Sequence, residues 1–373
     1  MPAPTRLRAD ACPGVLATHD AADGPLARIR LPGGALSGEQ ARVVASCAED
    51  LGDGSVHLTS RANLQLRAIR DVDELVTRLA QAGLLPAPGH ERVRNILGSP
   101  LSGLHGGRAD IRPLVSALDR AICARPDLAR LPGRFLFALD DGRGDVAGEG
   151  ADLCWRALDE DSGALLLDGA DTTFRVPTGQ AVAALVAAAA AFVRTRGTAW
   201  RLREADPAPV LSALHPFGTP ADVAGSSSEG PPPVGPVAGG IVVAAPPFGR
   251  LSAAVLRELG DVVVTPWRTV VLARPGAADG TDLVTDPAAP SLGVSACIGS
   301  PGCAKSRADV RADAHGIAAA GVTAHVAGCE RRCGRPRGPH VDVVATDGGY
   351  RVDGTFVTVE RLAEALIARK GHQ

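Results

Sequence analysis

The sequence predicts an α+β protein built as a tandem, pseudo-symmetric repeat, in which two small β-α-β halves are each followed by a larger segment. Three observations carry this. A strand–turn–helix–strand pattern in residues 26–69 recurs in residues 241–275. A Pro/Gly/Ser-rich stretch, residues 215–240, separates the copies and reads as a linker. Four of the eight cysteines crowd into residues 295–336, so the second large segment differs chemically from the first. Recurrence at a long fixed spacing marks duplicated supersecondary units.

Composition sets the outer bounds. A chain of 373 residues has room for several modules and a sizeable core. The net charge of −2 and the lack of basic tails in the sequence make nucleic acid an unexpected partner. Lys305 and Lys370 are the only lysines beside 37 arginines. The first residues show no apolar core of a signal peptide. The most apolar run, residues 181–193, is mostly alanine and too short to span a bilayer, so it reads as a packed helix. The expectation is a soluble, cytoplasmic protein without a membrane partner.

The first repeat opens with a strand that ends in Gly33-Gly34. Ser37 with Gln40 three residues on forms a capping box for the next helix. Val44, Cys47, Ala48 and Leu51 fall on one stripe of that helix, which makes Cys47 a core residue. Residues 55–69 read as one further strand. In the second repeat Pro247, Gly249, Leu251 and Ser252 match Pro32, Gly34, Leu36 and Ser37. Thr265 matches Thr59 after the helix has shortened by nine residues.

The cysteine segment is organised as C-x5-C (Cys297, Cys303) and C-x3-C (Cys329, Cys333). Gly299, Pro301 and Gly302 make the first pair a loop in which backbone can approach a bound object closely. Residues 304–320 are helix-compatible, and a helix starting there would aim its amide end at a centre held by Cys303. Cys329 and Cys333 are spaced to share one face of a helical turn, with Gly334 as its stop. Four thiols at this density fit a disulfide pair, a structural zinc site or an iron–sulphur cluster, as against four buried structural cysteines. Disulfides belong to oxidising compartments, zinc knuckles favour two to four intervening residues in both pairs, and iron–sulphur clusters tolerate varied spacing.

The pattern C-x5-C followed by C-x3-C-G-R resembles the cluster signature of the sulphite and nitrite reductase superfamily. That resemblance implies a [4Fe–4S] cluster on Cys297, Cys303, Cys329 and Cys333, with Cys333 bridging to any sirohaem iron. It also implies the domain order of that superfamily. Residues 1–75 would form a first ferredoxin-like half and 76–214 a first α/β tetrapyrrole domain. After the 215–240 linker, residues 241–285 would form a second ferredoxin-like half and 286–373 the cluster-binding domain.

Several polar residues match the superfamily's tetrapyrrole-binding blocks. These are Arg28 and Arg30 in R-I-R-L-P-G-G; Thr59, Arg61 and Gln65 in T-S-R-A-N-L-Q; Arg94 and Asn95 in R-N-I-L-G-S-P; Arg134 in L-P-G-R-F; and Arg268 in T-P-W-R. By the resemblance, the ligand carries eight carboxylates, which cannot be buried without cations. Arginine suits this task, because its planar fork grips a carboxylate through two bonds and stays charged.

The chain departs from the reductases at two places. Where sulphite reductases carry Lys-x-Lys it has Arg134 and Leu136, and between the last two cysteines it has Glu330-Arg331-Arg332. Only 25 residues separate Cys303 from Cys329. A short member with R-N-I-L-G-S-P-L-S-G, P-F-G-R-L, T-P-W-R and C-x-G-S-P-x-C looks most like the precorrin-3B synthases of aerobic cobalamin biosynthesis. This resemblance implies an O2-dependent monooxygenase that hydroxylates precorrin-3A at C20 and closes a γ-lactone. The alternative is a sirohaem-dependent sulphite or nitrite reductase, and a non-catalytic electron carrier is a third reading. The implied partners are precorrin-3A, O2 and an electron donor, either ferredoxin or reduced nicotinamide acting through a reductase. A second iron would be sirohaem or a mononuclear non-haem iron. Period-2 counting puts His57 on the strand face of Thr59 and Arg61; His105 and His325 are further candidates, and Lys305 would sit near the cluster. No catalytic residue is assigned.

Overall fold

A computed structural model describes residues 10, 12–222, 228–336 and 338–369; residues 223–227 of the expected linker lie outside them. The mixed architecture is α+β, with four sheets. In the first repeat, Gly24–Ile29 pairs antiparallel with Leu64–Leu66, and that strand pairs with Ser55–Leu58. In the second, Ile241–Ala244, Val270–Leu272 and Val262–Val264 repeat the arrangement.

Each half borrows its edge strand from the other. Arg250–Ser252 pairs with Ser55–His57, while Ala35–Leu36 pairs with Val262–Val263. One hydrophobic core therefore spans both repeats and includes Val44, Val56 and Leu64 with Leu256, Val264 and Val270. The exchange depends on the turn before Ala35. Gly34 has φ +75°, and a Cβ there would lie 1.9 Å from the carbonyl oxygen of Val264. Gly34→Ala is therefore expected to lower stability by more than about 2 kcal/mol, measured by urea unfolding, because both its backbone conformation and the paired strand oppose it.

The Ser37–Gln40 capping box forms at the head of helix Gly38–Leu51. Val44, Cys47, Ala48 and Leu51 are buried. The equivalent helix of the second repeat is only Ala253–Glu258, capped by Ser252. The single strand expected over residues 55–69 is instead a hairpin. Thr59 Oγ1 accepts N–H groups of Arg61 and Asn63, and Ala62 adopts φ +54°, which folds the chain back. Arg61 therefore lies in the turn and does not continue the strand face of His57.

Between the repeats, six strands from Ile96–Gly98 to Thr219–Pro220 form one sheet, so part of the expected linker is its edge. Another part, Gly235–Val237, pairs with Ile241–Val243. The helical stretch Thr178–Thr195 is long and apolar enough in composition to cross a membrane, yet ten of the 15 residues of its α-helix Ala181–Thr195 are buried in a core with Phe135, Phe137 and Trp155.

The C-terminal sheet positions the thiols. Val294–Ala296 and Ala324–Ala327 run parallel, and Cys297 and Cys329 follow their carboxyl ends. Open parallel sheets characteristically bind ligands at that edge.

Candidate functional site

The two cysteine loops leave neighbouring strands at the same end and are tied together by Arg307 N–H donating to the Gly328 carbonyl at 3.0 Å. All four cysteines line one cavity of about 260 Å³ together with Leu26, Arg67, Lys305 and Arg331. None of the eight cysteines is in a disulfide. Cys297 Sγ accepts the Gly328 N–H at 3.2 Å. Burial pushes the Cys297 thiol up, and the neighbouring Cys333 and Cys303 add to this. Four free thiols lining one cavity are a donor set suited to an iron–sulphur cluster.

Two local expectations fail here. The helix after Cys303 begins only at Val310, capped by Asp309, so its amide end does not start beside Cys303. The Cys329–Cys333 segment is not a helical turn either. Arg332 N–H closes onto the Cys329 carbonyl, but Arg332 and Gly334 then take φ +46° and +87°. Gly334 also lies close to Arg268: a Cβ there would be 3.0 Å from Arg268 Nη2.

From this cavity a polar strand face leads away. Leu26 lies at the thiols, and Arg28 and Arg30 follow at two-residue steps of about 7 Å. On the paired strand, Arg67 lies at the thiols and Gln65 stands opposite Arg28. Gln65 Oε1 accepts from Arg28 Nη2 at 3.3 Å. Arg30 is 2% exposed, and burial lowers it to about 10 despite the nearby Cys12. Arg28 Nε and both Nε and Nη1 of Arg30 are buried with no hydrogen-bond partner. Arg61, also lowered by burial and then by Arg201, donates to the Gly133 carbonyl at 3.3 Å. Three orphaned buried guanidinium nitrogens on two neighbouring arginines, Arg28 and Arg30, fit a polycarboxylate ligand.

The remaining sequence-predicted residues divide. Asn95 Nδ2 holds the carbonyls of Gly133 and Phe135, so it supports the Arg61 contact as scaffold. Arg134 is exposed, stacked over Trp200 and 3.7 Å from Asp10. Thr59 is the turn-former described above. Arg94 stands apart: its guanidinium is used by Asp119, with two contacts of 2.7 Å, and by the Leu84 carbonyl. Arg268 also lies outside the arginine cluster, packed along Gly249 with its guanidinium at Gly334 beside Cys333.

His57 is buried against Asp53 and Arg311, His325 against Ser295, and His105 is exposed. Lys305 is exposed at the thiol cavity. Leu136 is 3% exposed in the core. Arg67 and Arg311 were missed by sequence reasoning. Counting by two from Gln65 reaches Arg67; Arg311 has no local signal.

The second repeat supplies an internal control. Its turn has the same hydrogen bonds, with Thr265 N to the Thr269 carbonyl and Arg268 N to the Thr265 carbonyl, and Arg268 has φ +60°. Arg268 therefore corresponds in space to Ala62, and Trp267 to Arg61. The counterparts of Arg28 and Gln65 are Val243 and Val271, which pack with Leu101. Of two pseudo-equivalent faces, one is cationic and the other apolar.

Residues 19–82 match the nitrite/sulfite reductase ferredoxin-like half domain. The chain is 24% identical to the precorrin-3B synthase of Sinorhizobium sp over 381 residues, covering 92% of this chain and 82% of that protein. It is 36% identical to the ferredoxin–nitrite reductase of Synechococcus elongatus over 127 residues, which is 32% of this chain but only 25% of that enzyme. The solved structure of Mycobacterium tuberculosis NirA superposes with a TM-score of 0.72 at 20% identity, covering 91% of this chain and 79% of that one. The chain is thus a homologue of precorrin-3B synthase on the fold of the sulphite and nitrite reductases.

Proposed function

We propose that the protein is a precorrin-3B synthase, an iron–sulphur monooxygenase that hydroxylates precorrin-3A at C20 with O2 and forms the γ-lactone. The observation that carries this reading is the polar strand face of Arg28, Arg30 and Gln65, with Arg61 from the adjoining turn, which leads from Leu26 and Arg67 at the four-thiol cavity. Cys297, Cys303, Cys329 and Cys333 would hold a [4Fe–4S] cluster, which when bound supplies electrons singly. The guanidinium groups of Arg28, Arg30 and Arg61 would each take a carboxylate of the macrocycle and fix its plane beside the thiols. Placing one atom of O2 in the product and the other in water requires two electrons and two protons, so an external donor is needed, either ferredoxin or a nicotinamide-dependent reductase.

The 36% identity to a nitrite reductase across the first third of the chain supports a second reading, a sirohaem-dependent reductase. Leu136, buried in the core, weighs against it, because the lysine expected there in sulphite reductases would be replaced by a side chain that moves no proton. The test is turnover of precorrin-3A with and without O2. Product formation only with O2 is expected. Equal turnover under strict anaerobiosis, or viologen-driven reduction of nitrite or sulphite at enzymatic rates, would overturn the proposal.

A further inference from the structure

Around the cysteine loops three arginines from three separate elements converge, Arg67 in the lining of the thiol cavity itself. Arg67, which follows Leu64–Leu66 of the first repeat, donates to the carbonyl of Gly302, next to Cys303, while its other contacts go to Asp23 at 2.8 and 2.9 Å. Arg311, on the helix after the first loop, donates through Nε to the carbonyl of Cys297 at 3.3 Å and lies against His57 through Nη1. Arg268, from the second repeat's turn, runs past Gly249 to the backbone of Gly334, which adjoins Cys333. Only Arg67 has a carboxylate partner; the guanidinium groups of Arg268 and Arg311 meet none among the described residues.

Such an arrangement is costly in isolation. Desolvating a cation without an anion opposes folding, and like charges brought together add to the cost. The compensating anion has to come from what the thiols hold. Four thiolates around an iron–sulphur core carry net negative charge, and it grows by one on reduction. Cations fixed in a low-dielectric layer therefore favour the reduced state more than the oxidised one. Exposed Lys305 and Arg331 at the mouth are screened by solvent and contribute less.

We propose that Arg67, which is buried, and Arg268 and Arg311, which are half-buried, form a cationic cradle that positions the two cysteine loops and sets the cluster's reduction potential above that of the same thiols without them. This rests on the cluster reading above and extends it to residues outside the ligand set. The protein does with Arg268 and Arg311 what it does with Arg28 and Arg30 on the neighbouring face: it holds positive charge without a carboxylate partner in advance of an anion.

The experiment is a redox titration of the anaerobically reconstituted protein, followed by the electron paramagnetic resonance of the reduced cluster. Arg268→Gln and Arg311→Gln are expected to keep iron and sulphide at wild-type content and to shift the midpoint to more negative potential. Arg268→Lys and Arg311→Lys are expected to stay near the wild type, because charge rather than shape is what acts. Full cluster content with an unchanged midpoint in both Gln variants would overturn the cradle and leave the cluster reading standing. Wild-type protein that binds no iron and sulphide on reconstitution would overturn the reading itself. Thermal unfolding of the metal-free variants guards against a purely structural role. Metal-free Gln variants should melt no lower than metal-free wild type, and a clear drop would assign these arginines to folding and overturn the cradle.

Discussion

Cys333→Ser protein, purified anaerobically, is expected to lose the visible absorbance of the cluster and most of about four irons per chain, while keeping its fold. Cys333 is the exposed member of the four and lies in a turn, not in packed structure. A serine hydroxyl is a harder, poorer ligand for iron than thiolate. Replacing an exposed thiol in a turn alters the stability of the metal-free chain by no more than about 0.5 kcal/mol. Cys47→Ser should behave in the opposite way. Cys47 is fully buried in the common core, and burial raises its thiol to about 11. A hydroxyl there has no partner supplied for it and should cost about 1–3 kcal/mol while iron content is unchanged. Iron and sulphide analysis with urea unfolding separates the two outcomes. A Cys333→Ser protein that retains a full cluster would remove this residue from the ligand set.

The second large effect concerns the ligand face. Arg28→Met and Arg30→Met together are expected to weaken binding of an octacarboxylate porphyrin, such as uroporphyrin, by at least about two orders of magnitude. Truncating one partner of a buried charged pair typically costs about 2–5 kcal/mol, and each 1.4 kcal/mol is about tenfold. Binding is read from quenching of porphyrin fluorescence. The ligand-free double variant should melt at or above the wild type, because three of the atoms removed have no partner in the folded chain. Arg94→Met provides the contrast. Its guanidinium is paired to Asp119, so its loss leaves a half-buried carboxylate and the Leu84 carbonyl unpaired and should cost about 1–3 kcal/mol without altering affinity in the folded fraction. Unchanged porphyrin affinity in the double variant would place the tetrapyrrole elsewhere.

The contrast between Arg30 and Arg94 also shows what could be read in advance. Both stand in multi-residue motifs, and nothing within ten residues of Arg94 announces its partner. Asp119 lies 25 positions away on the helix Arg112–Cys123 and meets Arg94 only because the chain returns there. A guanidinium reaches far and pairs with whichever carboxylate the fold brings within range, so its role follows from topology. Arg67 and Arg311 escaped notice for the same reason. Their acceptors are carbonyls of the cysteine loops, 235 and 14 positions away.

What the sequence by itself determined rests on short-range physics. The Ser37 cap, the helix stripe of Val44, Cys47, Ala48 and Leu51, the recurrence of the Pro–Gly turn and the paired cysteine spacings all act within a few residues, where sterics and local hydrogen bonds decide. Only the tertiary structure decided how those pieces are combined. It exchanged Ala35–Leu36 and Arg250–Ser252 between the repeats, turned the expected 55–69 strand into a hairpin, and delayed the helix after Cys303 to Val310. It placed Arg268 at the turn position equivalent to Ala62 and made one of two pseudo-equivalent faces cationic beside the thiols. These choices depend on burial and on charges meeting across hundreds of residues, which no local pattern encodes.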